Sequence, residues 1–285
     1  MEEMVMGQER IIHAALLGAG TVGSGVYKLV KDLEEEIVSK TGARLVVDKI
    51  LVRDTTKARE GIPSELLIDR WDEILNDPKI EIVIEVMGGI RPALTWLEEA
   101  LRAGKQVVTA NKDLLAEYGE QLFDAAEAGK CDLHFEAAVA GAIPIIRPLR
   151  QSLAASELTE VMGIVNGTTN YILTRMTEDG MGYEEALALA TKLGYAESDP
   201  TADVEGYDAG RKVAIMASIA FNSNVTFSQV YTEGITHITA EDIRYAKEFG
   251  YVIKLIGMTR LTEGGVEVKV HPMLLPEQHP LSTVR

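Results

Sequence analysis

Short apolar runs, each suited to a buried strand, recur through the first half of the chain: IIHAALL at 11–17, LVVDKILV at 45–52, IEIVIEVM at 80–87, KQVVTA at 105–110 and CDLHFEAA at 131–138. Helical periodicity fills the gaps and predicts helices over 21–40, 92–103 and 113–128, the last two closed by Gly104 and Gly129 at their C-caps. Strands and helices alternating with crossovers of this length predict a parallel sheet covered on both faces. The fold class is α/β, with a doubly wound Rossmann-type nucleotide domain first.

The rhythm changes after Pro144. Helical periodicity continues to about residue 153, then comes a strand-like LTEVMGIV at 158–165, helices near 169–178, 183–193 and 206–221, and another at 240–249. Two late runs, 251–261 and 266–271, flank Gly264 and Gly265 and predict a hairpin. Helices with an antiparallel element make an α+β unit. The expected domains are 1–143, 144–275 and a short 276–285 that starts back toward the first domain.

Composition narrows the ligands. The 285 residues are 46% hydrophobic, enough for two cores, and the net charge of -16 opposes nucleic acid or an anionic membrane surface. Small molecules fit better. A single cysteine, Cys131, excludes an internal disulfide or a thiolate cluster. The start MEEMVMGQER lacks the marks of a secretion signal, and no run reaches a membrane span, so a cytoplasmic protein is expected.

The first run is followed by GAGTVG, which puts Gly18, Gly20 and Gly23 in the spacing G-x-G-x-x-G. By spacing alone this could be a tight turn. Between a strand and a helix it can also bring backbone N–H groups and a helix N-terminus against a pyrophosphate, with Ala19, Thr21 and Val22 alongside. At the end of the second run, where NAD enzymes carry an acid, stands Arg53, with Asp54 next and Lys57 and Arg59 nearby. Three cations suggest a 2'-phosphate and NADP over NAD; Arg53 paired to Asp54 would instead leave the choice relaxed. Gly88, Gly89, Thr109, Asn111 and Lys112 follow the next strands and should ring the cofactor, although a lysine at a helix start is often only a surface cation.

Two further stretches carry chemistry. EAAVAGAIP at 136–144 has small side chains that would let carbonyls turn inward beside Glu136, as a cation site or as a packed hinge. AESDPTADVEGYDAGRK at 196–212 gathers Glu197, Asp199, Asp203, Glu205 and Asp208 before Arg211 and Lys212, with Asp208 and Lys212 one helical turn apart. Capping explains some acids; a pocket for an amino-acid zwitterion would use more. Asn166, Gly167, Thr168, Thr169 and Asn170 offer donors for a carboxylate, or plain N-capping.

GAGTVG, TANK, EAAVAGAIPII, NGTTNYIL, GYAESDPTADVEGYDAGRK and HPL, in this order from residue 11 to 283, resemble the homoserine dehydrogenases. The resemblance implies reversible oxidation of L-homoserine to L-aspartate 4-semialdehyde with NAD(P), a step toward threonine and methionine, in a homodimer built through a substrate-binding second domain. It implies Lys112 and Lys212 as active-site lysines, Glu197, Asp203 and Asp208 as substrate-binding acids, and Gly18, Gly20, Thr21, Val22, Arg53, Thr109 and Lys112 at cofactor positions. Glu136 with the carbonyls of Val139, Gly141 and Ile143 would hold sodium or potassium. The chain ends at HPLSTVR where relatives continue, so a cut-short sequence is expected, and with it doubt over closure and activity. The rivals are another NADP-dependent oxidoreductase, including a semialdehyde dehydrogenase with a cysteine nucleophile, or an NADP-binding module without catalysis. Cys131, at the start of a strand, reads as structural.

Overall fold

The computed structural model describes residues 10–285; residues 1–9, read above for a secretion signal, lie outside the described part. The chain divides into two compact units, Met1–Ala138 and Val139–Arg285.

In the first unit, β1 (Arg10–Leu17), β2 (Ala43–Leu51), β3 (Leu67–Ile68), β4 (Ile80–Glu85), β5 (Gln106–Thr109) and β6 (Leu133–His134) form one sheet in the order β3-β2-β1-β4-β5-β6. Every pairing in it is parallel. The order reverses between β1 and β4, the switch point at which doubly wound sheets take ligands at their carboxyl ends. The crossovers are α1 (Thr21–Asp32) and α2 (Glu34–Thr41), the short α3 (Asp72–Leu75), α4 (Ala93–Arg102) and α5 (Lys112–Gly129). Leu16, Tyr27, Val47, Ile50, Val52, Ile62 and Leu67 pack as the core under β1 and β2.

Three expectations change. The helix expected over 21–40 is two, broken at Leu33 (φ -108, ψ 22), because the apolar stripe of the first ends where Glu34, Glu35 and Glu36 open the first turn of the second. The run at 131–138 gives a strand of only two residues and then a 3-10 turn, Glu136–Ala138. Gly129 is inside α5, and the left-handed C-cap is Lys130 (φ 54). Gly129 is glycine for a different reason: a Cβ there would lie 1.8 Å from the Leu101 carbonyl oxygen of α4.

The second unit is built on β7 (Glu160–Gly163), β8 (Tyr231–Thr232), β9 (Tyr251–Thr262) and β10 (Gly265–Pro276), in the order β7-β9-β10-β8. The expected hairpin is present and longer than the sequence suggests, with β9 and β10 paired along their full length around the Glu263–Gly264 turn. Around the sheet run α6 (Gly167–Asp179), α7 (Tyr183–Lys192), α8 (Thr201–Val204), α9 (Tyr207–Ala220) and α10 (Ala240–Glu248), of which α6, α9 and α10 pack on β9. The periodicity up to 153 yields one wide π turn, Pro148–Ser152. Residues 280–283 form a 3-10 turn whose Leu281 packs on Ile256, Met258 and Leu275.

Candidate functional site

The first unit carries the glycine turn. Gly18 takes φ +101, donates its N–H to the Leu51 carbonyl at 3.0 Å and leaves β1. A Cβ on Gly23 would lie 2.1 Å from the Gly18 carbonyl oxygen, so only glycine lets α1 press this closely on the turn. Gly20 is the N-cap of α1, no side chain caps the helix, and a Cβ on Gly20 would meet nothing within 4 Å. The first N–H groups of a twelve-residue helix thus lie beside an open, side-chain-free approach, the arrangement that receives a phosphate.

At the end of β2, Asp54 does not pair with Arg53. Its carboxylate accepts from the Thr56 N–H (2.9 Å) and hydroxyl (2.6 Å), which hold it below the usual carboxylate range. Arg59 turns back onto the carbonyls of Asp54 and Lys57. Arg53 and Lys57 stay exposed, with no ion pair among the described residues. Gly88 (φ +73) and Gly89 (φ +74) follow β4 in open space. Thr109 is 1% exposed with its hydroxyl donated to Glu85, and Asn111 caps α5 by accepting from the Leu114 N–H, which leaves Lys112 as the first residue of that helix.

The second unit gathers part of the acidic stretch. Gly206 (φ 80) breaks α8 from α9 and starts the helix that carries Asp208 and Lys212. The Lys212 ammonium donates to Asp208 Oδ2 at 2.5 Å and to the Val165 carbonyl at 2.9 Å. Asn166 joins them: its amide donates to Asp203 Oδ1 at 2.6 Å and to Asp208 Oδ2 at 2.9 Å, while its own Oδ1 accepts from the Thr169 N–H at 2.8 Å and caps α6. Of the two roles the sequence offers Asn166, donor for a carboxylate or plain N-cap, it fills the second, and its amide hydrogens go to Asp203 and Asp208. The side chain of Asp208 is 11% exposed and that of Lys212 18%, so the ion pair sits largely out of water, where it is screened little. Gly167 and Thr168 open α6, with the Thr168 hydroxyl on the Tyr195 carbonyl.

The other acids part company. Asp199 folds onto Thr201 just before α8, accepting from its N–H (3.1 Å) and hydroxyl (2.6 Å). Glu197 is exposed, with no partner among the described residues. The stretch 139–143 contains two left-handed alanines, Ala140 (φ 50) and Ala142 (φ 69), and ends at Ile143, 68% exposed. Glu136 lies in the first unit, in the 3-10 turn after β6. No group of three or more His, Cys, Asp or Glu among the described residues is placed to hold a metal.

Cys131 donates its thiol to the Leu101 carbonyl at 3.2 Å, and burial, followed by the nearby Asp132 charge, raises it above the ordinary thiol range. It stays protonated near neutrality and is a poor nucleophile. Sequence reasoning missed Glu85 and Lys254, both almost fully buried. Each was visible as a charge inside an apolar strand run, IEIVIEVM and YVIKLIG.

The strand order and the glycine turn define a dinucleotide-binding protein with a second α+β unit. Two family models match: "Homoserine dehydrogenase, NAD binding domain" over residues 18–136 and "Homoserine dehydrogenase" over 144–285. The homoserine dehydrogenase of Bacillus subtilis is 48% identical over 276 residues, which are 96% of this chain and 64% of that protein. A crystal structure of a homoserine dehydrogenase from Thiobacillus denitrificans superposes with a TM-score of 0.91 at 45% identity, covering 96% of this chain and 64% of that one. A hyperthermophilic archaeal homoserine dehydrogenase in complex with NADPH matches with a TM-score of 0.77 at 25% identity, covering 95% of this chain and 84% of that one. The chain belongs to the homoserine dehydrogenase family, and its first unit is an NAD(P)-binding domain. It spans 64% of the length of the Bacillus relative. Among the described residues no helix is long and apolar enough to cross a membrane.

Proposed function

We propose that the chain carries out the reversible oxidation of L-homoserine to L-aspartate 4-semialdehyde with NADP, the reaction for which its family is named. The observation that carries this reading is the Lys212 ammonium, held by Asp208 and the Val165 carbonyl in a cluster completed by Asn166 and Asp203. Two of its three N–H bonds are used, and a third is left to meet a substrate oxygen.

The dinucleotide, when bound, supplies the hydride acceptor. Gly18 to Gly23 fit its pyrophosphate, with the N–H groups of Ala19, Thr21 and Val22 at hand, and the exposed Arg53 and Lys57 suit a 2'-phosphate, with NAD the alternative. Gly88, Gly89 and Thr109 line the same carboxyl end. As the neutral amine, having first released a proton to solvent, Lys212 takes the proton from the substrate hydroxyl during oxidation; as the ammonium it returns that proton during reduction. Lys112, the other lysine of the family resemblance, polarises the carbonyl in reduction. Glu197, Asp203 and Asp208 hold the substrate ammonium. Because both amide hydrogens of Asn166 are engaged by Asp203 and Asp208, the substrate carboxylate falls to the N–H groups of Gly167 and Thr168 at the start of α6. Oxidation releases a proton, so it is favoured at alkaline pH and reduction near neutrality.

Glu136 and the carbonyls of Val139, Gly141 and Ile143 suit a monovalent cation, sodium or potassium. Supporting this, alternate left-handed residues at Ala140 and Ala142 turn successive carbonyls out of a regular path. The working form is a cytoplasmic homodimer on a route to threonine and methionine; light scattering at about twice the chain mass of 31.1 kDa checks the dimer.

The Lys212→Ala variant tests the assignment. It should fold, bind NADPH and lose about 10²–10⁴ in kcat, the usual weight of a proton-transfer group. Near-wild-type turnover would rule out the role.

A further inference from the structure

Glu85 is a carboxylate that the proposed reaction does not use, and it is completely buried at the end of β4. Its Oε1 accepts from the backbone N–H groups of Met87 at 2.8 Å and Gly88 at 3.1 Å, and its Oε2 accepts the Thr109 hydroxyl at 2.6 Å. The Thr109 oxygen in turn accepts from the Asn111 N–H at 3.0 Å, and the Asn111 amide donates to the Gly89 carbonyl at 2.7 Å. The bonds form a closed ring: Glu85, the 87–89 loop, Asn111, Thr109 and back. A carboxylate suits its corner, because every contact that reaches it is a donor. Thr109 and Asn111 are 1% and 6% exposed, so the ring runs through a dry interior in which a missing partner is costly.

Holding the sheet together does not require this ring. β4 and β5 already pair from Ile82↔Gln106 to Glu85↔Thr109. What the ring fixes lies beyond the strand ends: the loop with two left-handed glycines, Gly88 and Gly89, and the Asn111 cap of α5. The loop also bears on the glycine turn. A Cβ on Gly18 would lie 3.0 Å from Met87 Cγ and 3.3 Å from its Cα, so a displacement of Met87 is passed to the first glycine of G-x-G-x-x-G.

We propose that Glu85 is a positioning residue for the dinucleotide, tying the 87–89 loop and the start of α5 into one rigid rim beside the glycine turn. This rests on the dinucleotide reading of the first unit and not on the identity of the oxidised substrate. The test is direct titration of the full chain with NADPH, followed by cofactor fluorescence, alongside steady-state kinetics with L-homoserine. Glu85→Gln replaces an acceptor with a donor facing Thr109 and should weaken NADPH binding about 3- to 10-fold, while Glu85→Ala, which strands three donors, should weaken it at least about 10-fold. The KM for homoserine at saturating cofactor should stay within about twofold, and the Met87 and Gly88 amides should exchange hydrogen faster. Val83→Ala, a cavity on the same strand outside the ring, should lower the melting temperature and leave NADPH affinity unchanged. If Glu85→Ala fails to fold, Glu85→Gln decides. Wild-type NADPH affinity in Glu85→Gln, or an equal loss in Val83→Ala, overturns the proposal. A wild-type chain that binds NADPH but leaves homoserine untouched overturns the reaction and spares Glu85; one that binds neither dinucleotide overturns both.

Discussion

At the residue scale, the contacts that matter are those in which one side chain serves two neighbours. Asn166 caps α6 and at the same time bridges Asp203 and Asp208, so the amide orients the acid that holds Lys212. Arg53 tests cofactor choice: its exposed guanidinium, with Asp54 occupied by Thr56, predicts that Arg53→Ala lowers kcat/KM for NADP relative to NAD by about 10- to 100-fold, as expected for one lost charge-assisted contact of about 1.5–3 kcal/mol. An unchanged ratio contradicts it. Lys254 gives a pH prediction. It is 2% exposed, donates to Asn170 Oδ1, Thr174 Oγ1 and the Val284 carbonyl, and burial pushes its ammonium down to about 8. From about 8 up to the ordinary 10.5, the folded chain has released this proton while the unfolded chain keeps it. Stability therefore rises with pH across that window. Urea melts of wild type and Lys254→Met should show wild type gaining about 1–3 kcal/mol on the variant between neutrality and high pH, since a tenfold difference in proton affinity between folded and unfolded chains is worth about 1.36 kcal/mol. A constant difference contradicts it.

At the element scale, hydrophobic period was a good guide wherever an element buries one clear stripe. β1, β2, β4, β5, α4, α9 and the β9–β10 hairpin stand where the apolar pattern puts them. Elements that owe their existence to neighbours were not legible: β3 and β8 are two residues long and pair only because β2 and β10 present an edge. The break at Leu33 was missed because a local run of acids, not an apolar gap, ends the first helix. Two glycines that look alike in sequence separate binding from packing. Gly23→Ala and Gly129→Ala both drive a Cβ into a carbonyl oxygen, at 2.1 Å and 1.8 Å, and should each cost about 1–3 kcal/mol of stability. Only Gly23→Ala moves the dinucleotide turn and should also weaken NADPH binding, read by titration; equal binding loss in both would contradict the role of the turn.

At the scale of the whole molecule, the alternation of strands and helices in the first half and its loss after Pro144 were enough to expect a parallel α/β unit followed by an α+β unit, and both are present. The chemistry was legible unevenly. Motif spacing located the glycine turn and the Asp208–Lys212 pair, because both depend on contacts within one turn of chain. The Glu85 ring and the Asn166 bridge join residues more than twenty positions apart, which no local pattern encodes. The central claim is that this chain moves a hydride from the terminal carbon of homoserine to a nicotinamide. Absorbance of the reduced nicotinamide, followed on mixing wild-type protein with L-homoserine and either NADP or NAD, with and without sodium or potassium, tests it most directly. Homoserine-dependent reduction, faster with NADP, at alkaline pH and with the cation, is the predicted result; no reduction with either cofactor at any pH, by a chain that still binds NADPH, would contradict it.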